Sequence, residues 1–285
     1  MENVREPAVA GTFYPSNPDT LASDVRGYLT KAKKEDIEGG IIALISPHAG
    51  YPYSGQVAAY AYKVVEGMDF DDVIVIAPSH QWPFEGASIY HRGGFRTPLG
   101  VVPIDGEMCD EIIAVDRRFQ FIPEAHAGEH SLEVQLPFLQ VCLKGYKLVP
   151  IVLMGGADYE ICESLGKAIS KSLKDRNCLI VASSDLTHSY DYKQVVAQDG
   201  ILARHIDQFD IEGLAEDLRK GRCQACGEGP ILSAMIAART LGGNTGKVLK
   251  LTNSGDVTGD KRPGNYTVGY LAGVFYRAGV RKERP

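Results

Sequence analysis

Short apolar runs that end in polar, titratable residues constrain the fold of this 285-residue chain more than any other feature. Two of them, at 41–46 and 73–77, are each followed closely by a proline and then by a histidine, His48 and His80. A third run leads into Asp185. Runs of this length are typical of buried strands, and open α/β sheets bind ligands at the carboxyl ends of their strands. We therefore expect the three strand ends to meet in one pocket.

Helical patterns alternate with the apolar runs along the whole chain. The predicted helices are 21–33, 54–65, 105–115, 132–143, 158–174, 191–207, 211–219 and 229–241. The remaining predicted strands are 147–153, 178–183, 248–252 and 266–276, with short β-type pieces forming a hairpin-like excursion within 81–104. Such alternation predicts an α/β fold, a three-layer α/β/α sandwich around a mostly parallel mixed sheet. We expect one domain over 1–285, with 1–20 as an N-terminal arm.

Two predicted boundaries depend on single residues. Ser54 is predicted to cap the start of the helix that follows the first strand. Pro137 lies inside the apolar pattern at 132–143, so that helix is predicted to kink at the proline or to begin close to it.

Composition and charge exclude several classes of protein. The net charge is −6, and the basic clusters 31–34 and 281–284 are short and diluted by acidic residues, so we expect no nucleic-acid binding. The longest apolar runs are far shorter than the roughly 20 residues of a membrane span. The first residues lack the architecture of a signal peptide. We expect a cytoplasmic protein without membrane contact.

His48 and His80 are candidate metal ligands. Neutral imidazole is the commonest metal ligand in proteins, and two imidazoles leave room for a third protein ligand and an open position. The alternative for either residue is a loop histidine that is hydrogen-bonded to the backbone. The similar placement of both histidines at strand ends favours the metal site.

The six cysteines do not form a disulfide pattern, because a chain of this size without a secretory signal is not expected to depend on one. Only Cys223 and Cys226 have a suggestive spacing. A four-cysteine zinc site would need a second such pair, and a thioredoxin-like couple would follow a strand rather than a charged helix. A single thiolate that joins the two histidines is the better functional hypothesis; the alternative is a free loop cysteine.

Asp185 and His188 follow the third strand. Asp185 is either a carboxylate ligand or general base with an orienting partner, or a side chain that caps the following turn. His130, flanked by Glu129 and Glu133, is a further candidate to enter the pocket from a helix start.

Six ordered motifs resemble those of the Memo family, which is named for a mediator of cell motility. The motifs are 47–51 (PHAGY), 78–80 (PSH), 129–133 (EHSLE), 136–137 (LP), 183–185 (SSD) with His188, and 225–227 (ACG) before Pro230. The resemblance runs from Ala10 to Gly273. It implies a fold like that of the class III extradiol ring-cleaving dioxygenases, which use non-haem iron.

The resemblance also implies a site and partners. The metal ligands would be His48, His80 and Cys226, and the metal iron or copper, with zinc also possible. The candidate catalytic residues in the same cavity would be Asp185, His188 and His130. Relatives in prokaryotes commonly occur with AMMECR-type and radical-SAM proteins, so partners of those classes are implied beside a small-molecule or peptide ligand.

Cys226 is where the chain departs from the ring-cleaving dioxygenases, which use two histidines and one carboxylate. A thiolate is softer, favours copper or zinc, and is itself prone to oxidation. Dioxygenase activity therefore does not follow from the fold. Three hypotheses stay open: a metal-dependent, dioxygenase-like oxidoreductase, a non-catalytic ligand- or peptide-binding module that uses the same pocket, and metal-assisted redox signalling at Cys226. Whether the chain is an enzyme is thus undecided by its sequence.

Overall fold

The structure is a computed structural model that describes residues 3–154, 156, 158–173 and 176–279. Its strands are β1 (Val4–Arg5), β2 (Gly39–Ser46), β3 (Asp72–Ser79), β4 (Ala87–Ile89), β5 (Gly94–Thr97), β6 (Gly100–Pro103), β7 (Phe119–Gln120), β8 (Lys147–Met154), β9 (Cys178–Ser183), β10 (Asp185–Ser189), β11 (Thr245–Asn253) and β12 (Thr267–Ala278). Its helices are α1 (Pro18–Lys31), α2 (Tyr51–Lys63), α3 (Gly106–Ile113), α4 (Pro123–Ala127), α5 (His130–Glu133), α6 (Leu136–Cys142), α7 (Tyr159–Ser172), α8 (Tyr192–Gln208), α9 (Ile211–Arg219), α10 (Glu228–Thr240) and α11 (Ser254–Thr258). The predicted basic cluster 281–284, and position 174 at the predicted end of a helix, lie outside the described residues.

The main sheet is mixed, as predicted. Its strand order is β10-β12-β2-β9-β3-β8-β4-β7, and β11 pairs with β12. The central strands β2, β9, β3 and β8 are parallel, whereas β12 runs antiparallel to β2, β10 and β11, and β4 runs antiparallel to β8. Parallel pairing is therefore concentrated at the centre, where the predicted pocket lies. A separate small sheet has the order β1-β5-β6.

Helices cover both faces of the sheet and give the predicted three layers. Side chains alternate between the faces of a strand, and every residue of β3 is buried. Ile74 and Ile76 pack in one core with apolar residues of α3, α7, α9 and α10. Val73 and Val75 pack in the other core with residues of α1, α2 and α6. The double burial explains why this strand reads as a continuous apolar run.

Prolines set two helix starts. The predicted serine cap of α2 is wrong: the helix begins at Tyr51 after Gly50, and Pro52 lies in its first turn. Proline is tolerated there because the first N–H groups of a helix have no intrahelical partner. Ser54 instead donates to the carbonyl of Ala49 at 2.7 Å. Pro137 likewise lies in the first turn of α6, which confirms the predicted start close to it.

The excursion within 81–104 is a hairpin only in part. β5 and β6 form an antiparallel pair, but β4 joins the main sheet beside β8. The strand β10 and the short helix α11 were not predicted, because both carry polar residues without an apolar period. No helix of the described residues has the length and apolarity needed to cross a bilayer.

Candidate metal centre

The carboxyl ends of three neighbouring strands meet at one edge of the sheet. His48 follows β2 and His80 follows β3, and β9 lies between these two strands and ends next to Asp185. Cys226 enters the same region from the loop that precedes α10. The structure therefore brings the three predicted strand ends together, as expected for parallel strands.

The three predicted metal ligands lie close enough to share one ion. One ligand atom each from His48, His80 and Cys226 lies within 4.8 Å of the others. The Cys226 sulfur is 3.2 Å from Nε2 of His48, and the two imidazole centroids are 5.3 Å apart. Metal binding itself stays a prediction.

The Cys226 loop is fixed to the β9–β10 bend by its backbone. The N–H of Cys226 donates to the carbonyl of Asp185 at 3.2 Å, and the N–H of Gly227 donates to the Ser184 hydroxyl at 3.0 Å. The N–H of Asp185 points at the Cys226 sulfur at 3.3 Å. These contacts hold the sulfur in place from both sides.

His48 is only 2% exposed and its ring is anchored on the side away from the sulfur. Its Nδ1 lies 2.9 Å from the Ser183 hydroxyl. Burial, followed by the charges of neighbouring His130, His80 and His188, holds the pKa of His48 well below its usual range. The imidazole is therefore neutral at physiological pH, the form that binds metals.

His80 is oriented by a carboxylate. Its Nδ1 lies 2.9 Å from Oε1 of Glu129, and its backbone N–H donates to Oε2 of the same carboxylate. Burial raises the pKa of Glu129, but the hydrogen bonds from His80 outweigh it and lower this pKa to about 2. The ionised carboxylate accepts a hydrogen bond from the Nδ1–H group, which leaves Nε2 free for a metal. This carboxylate–histidine pair is common behind metal ligands.

His130 adds a third imidazole, as the sequence suggested. Its ring stacks on His80 with centroids 4.8 Å apart, and its Nδ1 is 3.3 Å from Oε1 of Glu129. Burial lowers the pKa of His130. His80, Glu129 and His130 form a second set whose ligand atoms lie within 4.8 Å. Glu129 already accepts from His80 and from the N–H of Ser131.

Asp185 and His188 lie at the same edge with different surroundings. The Asp185 carboxylate accepts from the backbone N–H groups of His48, at 2.8 Å, and Ala49, at 3.4 Å, so it holds the His48 turn. Burial raises the pKa of Asp185 to about 7. His188 lies on β10, where its Nδ1 donates to the carbonyl of Leu186 at 2.9 Å. The catalytic roles of Asp185, His188 and His130 stay predictions.

A cavity of about 500 Å³ opens beside these residues. Its wall includes His80, His188 and Cys226 together with Cys223. A second cavity of about 500 Å³ lies toward α7, α9 and α10. The two cavities share the lining residues Gly156, Leu218 and Glu228. The site therefore has room for an organic molecule beside a metal ion.

The two glutamates beside His130 have different surroundings that their sequence positions do not reveal. Glu129 faces the site, but Glu133 is fully buried and binds the N-terminal arm. Glu133 forms an ion pair with Arg5 and accepts from the Tyr14 hydroxyl at 2.5 Å. The arm in turn places Phe13 against the His130 ring, with centroids 4.7 Å apart. The sequence gives no signal for this pairing, because Arg5 and Glu133 are 128 positions apart.

A family model and individual relatives assign the chain to the same protein family. The family model described as "Memo-like protein" matches residues 5–274. A MEMO1 family protein of Nitrosopumilus maritimus is 35% identical over 277 residues, covering 95% of this chain and 99% of the relative. A MEMO1 family protein of Methanocaldococcus jannaschii is 36% identical over 291 residues and covers 96% of this chain and 99% of its own length.

A solved structure supports the fold. An uncharacterized protein from Escherichia coli K12 superposes with a TM-score of 0.54 over 83% of this chain and 99% of that chain. Its sequence identity is 12%, so the similarity concerns the fold alone.

Proposed function

The chain belongs to the Memo-like family, and from that membership and the geometry of the site we propose that it binds an iron or copper ion through His48, His80 and Cys226. We further propose a dioxygenase-like oxidoreductase activity for the loaded site. The single observation that carries the metal proposal is the convergence of three ligand atoms within 4.8 Å from three separate parts of the chain.

The donor set fits a transition-metal ion. Both imidazoles are engaged at Nδ1, by Ser183 for His48 and by Glu129 for His80, so each presents Nε2 to the site. Two imidazoles and one thiolate suit copper, zinc or iron better than calcium or magnesium, which prefer oxygen ligands. When bound, such an ion supplies Lewis acidity and an open coordination position.

The protein's own groups would orient a ligand and move protons. His188 lines the cavity, and its Nδ1 proton is held by the Leu186 carbonyl, so its other ring nitrogen is available as a proton acceptor. His130 lies between the His80 ring and Phe13 and is neutral because burial lowers its pKa. His188, which lines the cavity, is suited to general acid–base work on a bound substrate.

Metal analysis of protein purified without oxygen tests the proposal. We expect about one ion per chain in the unmodified protein and its loss in His48→Ala, His80→Ala and Cys226→Ser. His91→Ala changes a histidine outside this edge of the sheet, which pairs with Asp110, and should keep its metal. Retention of metal in all three site variants would refute the proposal.

The cavities favour a second candidate, a module that binds a small molecule or a peptide without turnover. Two adjacent cavities of about 500 Å³ each exceed what molecular oxygen requires. Oxygen uptake by the metal-loaded protein with a panel of catechols separates the two candidates. Turnover that Cys226→Ser abolishes supports the oxidoreductase, whereas a loaded site without uptake for any compound favours the binding module.

A further inference from the structure

A chain of buried side chains runs from Tyr62 to the ring of His48. We propose that Tyr62, Gln135 and Ser183 hold His48 in the tautomer that carries its proton on Nδ1, so that Nε2 always presents a lone pair to the metal site. The three are positioning residues, because they act on the metal ligand and do not touch the ion. The role of this tautomer in metal binding rests on the proposed function, but the tautomer itself can be measured in the metal-free protein.

The orientation of the Gln135 amide follows from its neighbours. Nε2 lies 3.0 Å from the carbonyl oxygen of Pro47, which can only accept a hydrogen bond. The amide nitrogen must therefore be on that side, and the amide oxygen faces the Tyr62 hydroxyl at 2.7 Å. Tyr62 is completely buried and donates to this oxygen. One carbonyl group thus fixes the first link of the chain.

The Ser183 hydroxyl has one proton and three polar neighbours. Its oxygen is 2.6 Å from the carbonyl oxygen of Ser131, which again can only accept, so the hydroxyl proton goes there. The second proton of the Gln135 amide nitrogen is donated to the Ser183 oxygen at 2.8 Å. The remaining neighbour is Nδ1 of His48 at 2.9 Å. Since Ser183 has no proton left to give, Nδ1 of His48 must donate.

Burial makes this arrangement exclusive. Tyr62, Gln135, Ser183 and His48 are 0%, 1%, 0% and 2% exposed, so water cannot replace a lost partner. The other neutral tautomer would set the bare Nδ1 against an oxygen that has no proton to offer. It would also turn an N–H toward the Cys226 sulfur, 3.2 Å away, where a metal ion would bind. The chain therefore selects the metal-binding tautomer before any ion arrives.

His80 provides an internal comparison. Its Nδ1–H donates to the ionised Glu129 carboxylate, 2.9 Å away, and does not depend on Tyr62, Gln135 or Ser183. Ser88 provides a second comparison away from the proposed site. Its hydroxyl is equally buried and lies 2.9 Å from Nε2 of a different histidine, His126. Removing the Ser183 hydroxyl should thus affect His48 and neither of these histidines.

The experiment is nitrogen NMR of the metal-free, full-length protein with ¹⁵N-labelled histidine, at neutral pH. We expect His48 to show a protonated Nδ1 and an unprotonated Nε2. In Ser183→Ala we expect a mixture of tautomers at His48, or the Nε2-protonated form, with His80 unchanged. Tyr62→Phe should shift the His48 signals in the same direction by a smaller amount. The Ser88→Ala control should alter the signals of His126 alone.

A second readout connects the tautomer to metal affinity. In competition with a chromophoric chelator, Ser183→Ala should bind Zn²⁺ about 10- to 100-fold more weakly than the unmodified protein, the range typical of residues behind metal ligands. Ser88→Ala should bind as tightly as the unmodified protein.

Two results would overturn the inference: an Nε2-protonated His48 in the unmodified protein, which needs no variant to detect, or an unchanged His48 tautomer in Ser183→Ala. If the tautomers behave as expected but the unmodified protein binds no metal, the proposed function fails and the tautomer assignment stands.

Discussion

Burial decides the protonation state of several histidines in this protein. His48 and His126 are 2% and 1% exposed, and burial lowers the pKa of both. For His48 the neutral form serves the proposed metal site. His126 has no such role: its Nε2 contacts Ser88, and its Nδ1 has no hydrogen-bond partner within the described part of the chain. A buried histidine of this kind makes stability depend on pH.

Replacement of His126 should reduce the acid sensitivity of the fold. Burial, and secondarily the charge of Arg5, lowers the pKa of His126 from 6.5 to about 3. Between these values the unfolded chain binds a proton that the folded protein excludes, so the stabilisation is complete above pH 6.5 and is lost as the pH falls toward 3. In urea unfolding, the loss of stability from pH 7 to about pH 4.5 should be smaller in His126→Gln by about 2 kcal/mol.

Ser88→Ala is the matched control, because it removes the hydrogen-bond partner of His126 but keeps the histidine. It should lower stability at both pH values and leave the difference between them intact. An equal loss in His126→Gln and in the unmodified protein would contradict the assignment.

Single residues were predictable where position in a strand decides their place. His48 and His80 could be assigned to one edge because each follows a buried strand. The roles of Ser183 and Gln135 could not, because they depend on which distant carbonyl groups take their protons. The same holds for Glu133, whose partner Arg5 belongs to the N-terminal arm.

At the scale of elements, predictions succeeded where apolar periodicity is strong. The predicted strand 178–183 coincides with β9, and the predicted helix 211–219 coincides with α9. β10 was missed because four of its five residues are polar, and it is recognisable only from its pairing with β12. The strand order β2-β9-β3 could not be predicted from the sequence either, because β9 comes much later in the chain than β2 and β3. That insertion is what places Ser183 beside His48.

The close packing of Gly227, just before α10, against the β9–β10 bend controls the position of Cys226. A Cβ atom at Gly227 would lie 2.6 Å from Cβ of Ser184 and would also collide with the backbone carbonyl of Ser183. Gly227→Ala should therefore push the loop away from the β9–β10 bend and move the sulfur. We expect a loss of about 1–3 kcal/mol of stability and at least about a tenfold weaker metal affinity, measured by urea unfolding and chelator competition.

Gly200→Ala is the control, since a Cβ atom at that position of α8 meets nothing within 4 Å. It should leave metal affinity unchanged. Unaltered affinity in Gly227→Ala would show that close contact with the bend does not place the sulfur.

At the scale of the whole molecule, the sheet is shared by two hydrophobic cores. Ile74 and Val75 are neighbours in β3 but pack in opposite cores. Unfolding of either core would therefore disrupt a strand on which the other core depends. The sequence predicts one domain over 1–285, and the single domain stays a prediction. His48 and His80 follow strands of this sheet, and Cys226 lies in the loop between α9 and α10. The proposed site should therefore depend on the integrity of the entire fold.

Scanning calorimetry of the metal-free protein tests the single domain. We expect one transition with a ratio of calorimetric to van't Hoff enthalpy of about 1, the mark of cooperative unfolding. Added Zn²⁺ should raise the midpoint temperature of this single transition, because a ligand of the native state stabilises the whole cooperative unit. Two resolved transitions, only one of which responds to metal, would contradict the prediction.

The identity of the sulfur ligand is the most direct test of the proposed site. Cobalt(II) bound to a thiolate gives a charge-transfer band in the near ultraviolet, and Cys223 and Cys226 both line the cavity. We predict this band in the cobalt-loaded unmodified protein and in Cys223→Ser, and its absence in Cys226→Ser. A band that persists in Cys226→Ser, or that disappears in Cys223→Ser alone, would contradict the proposed ligand set.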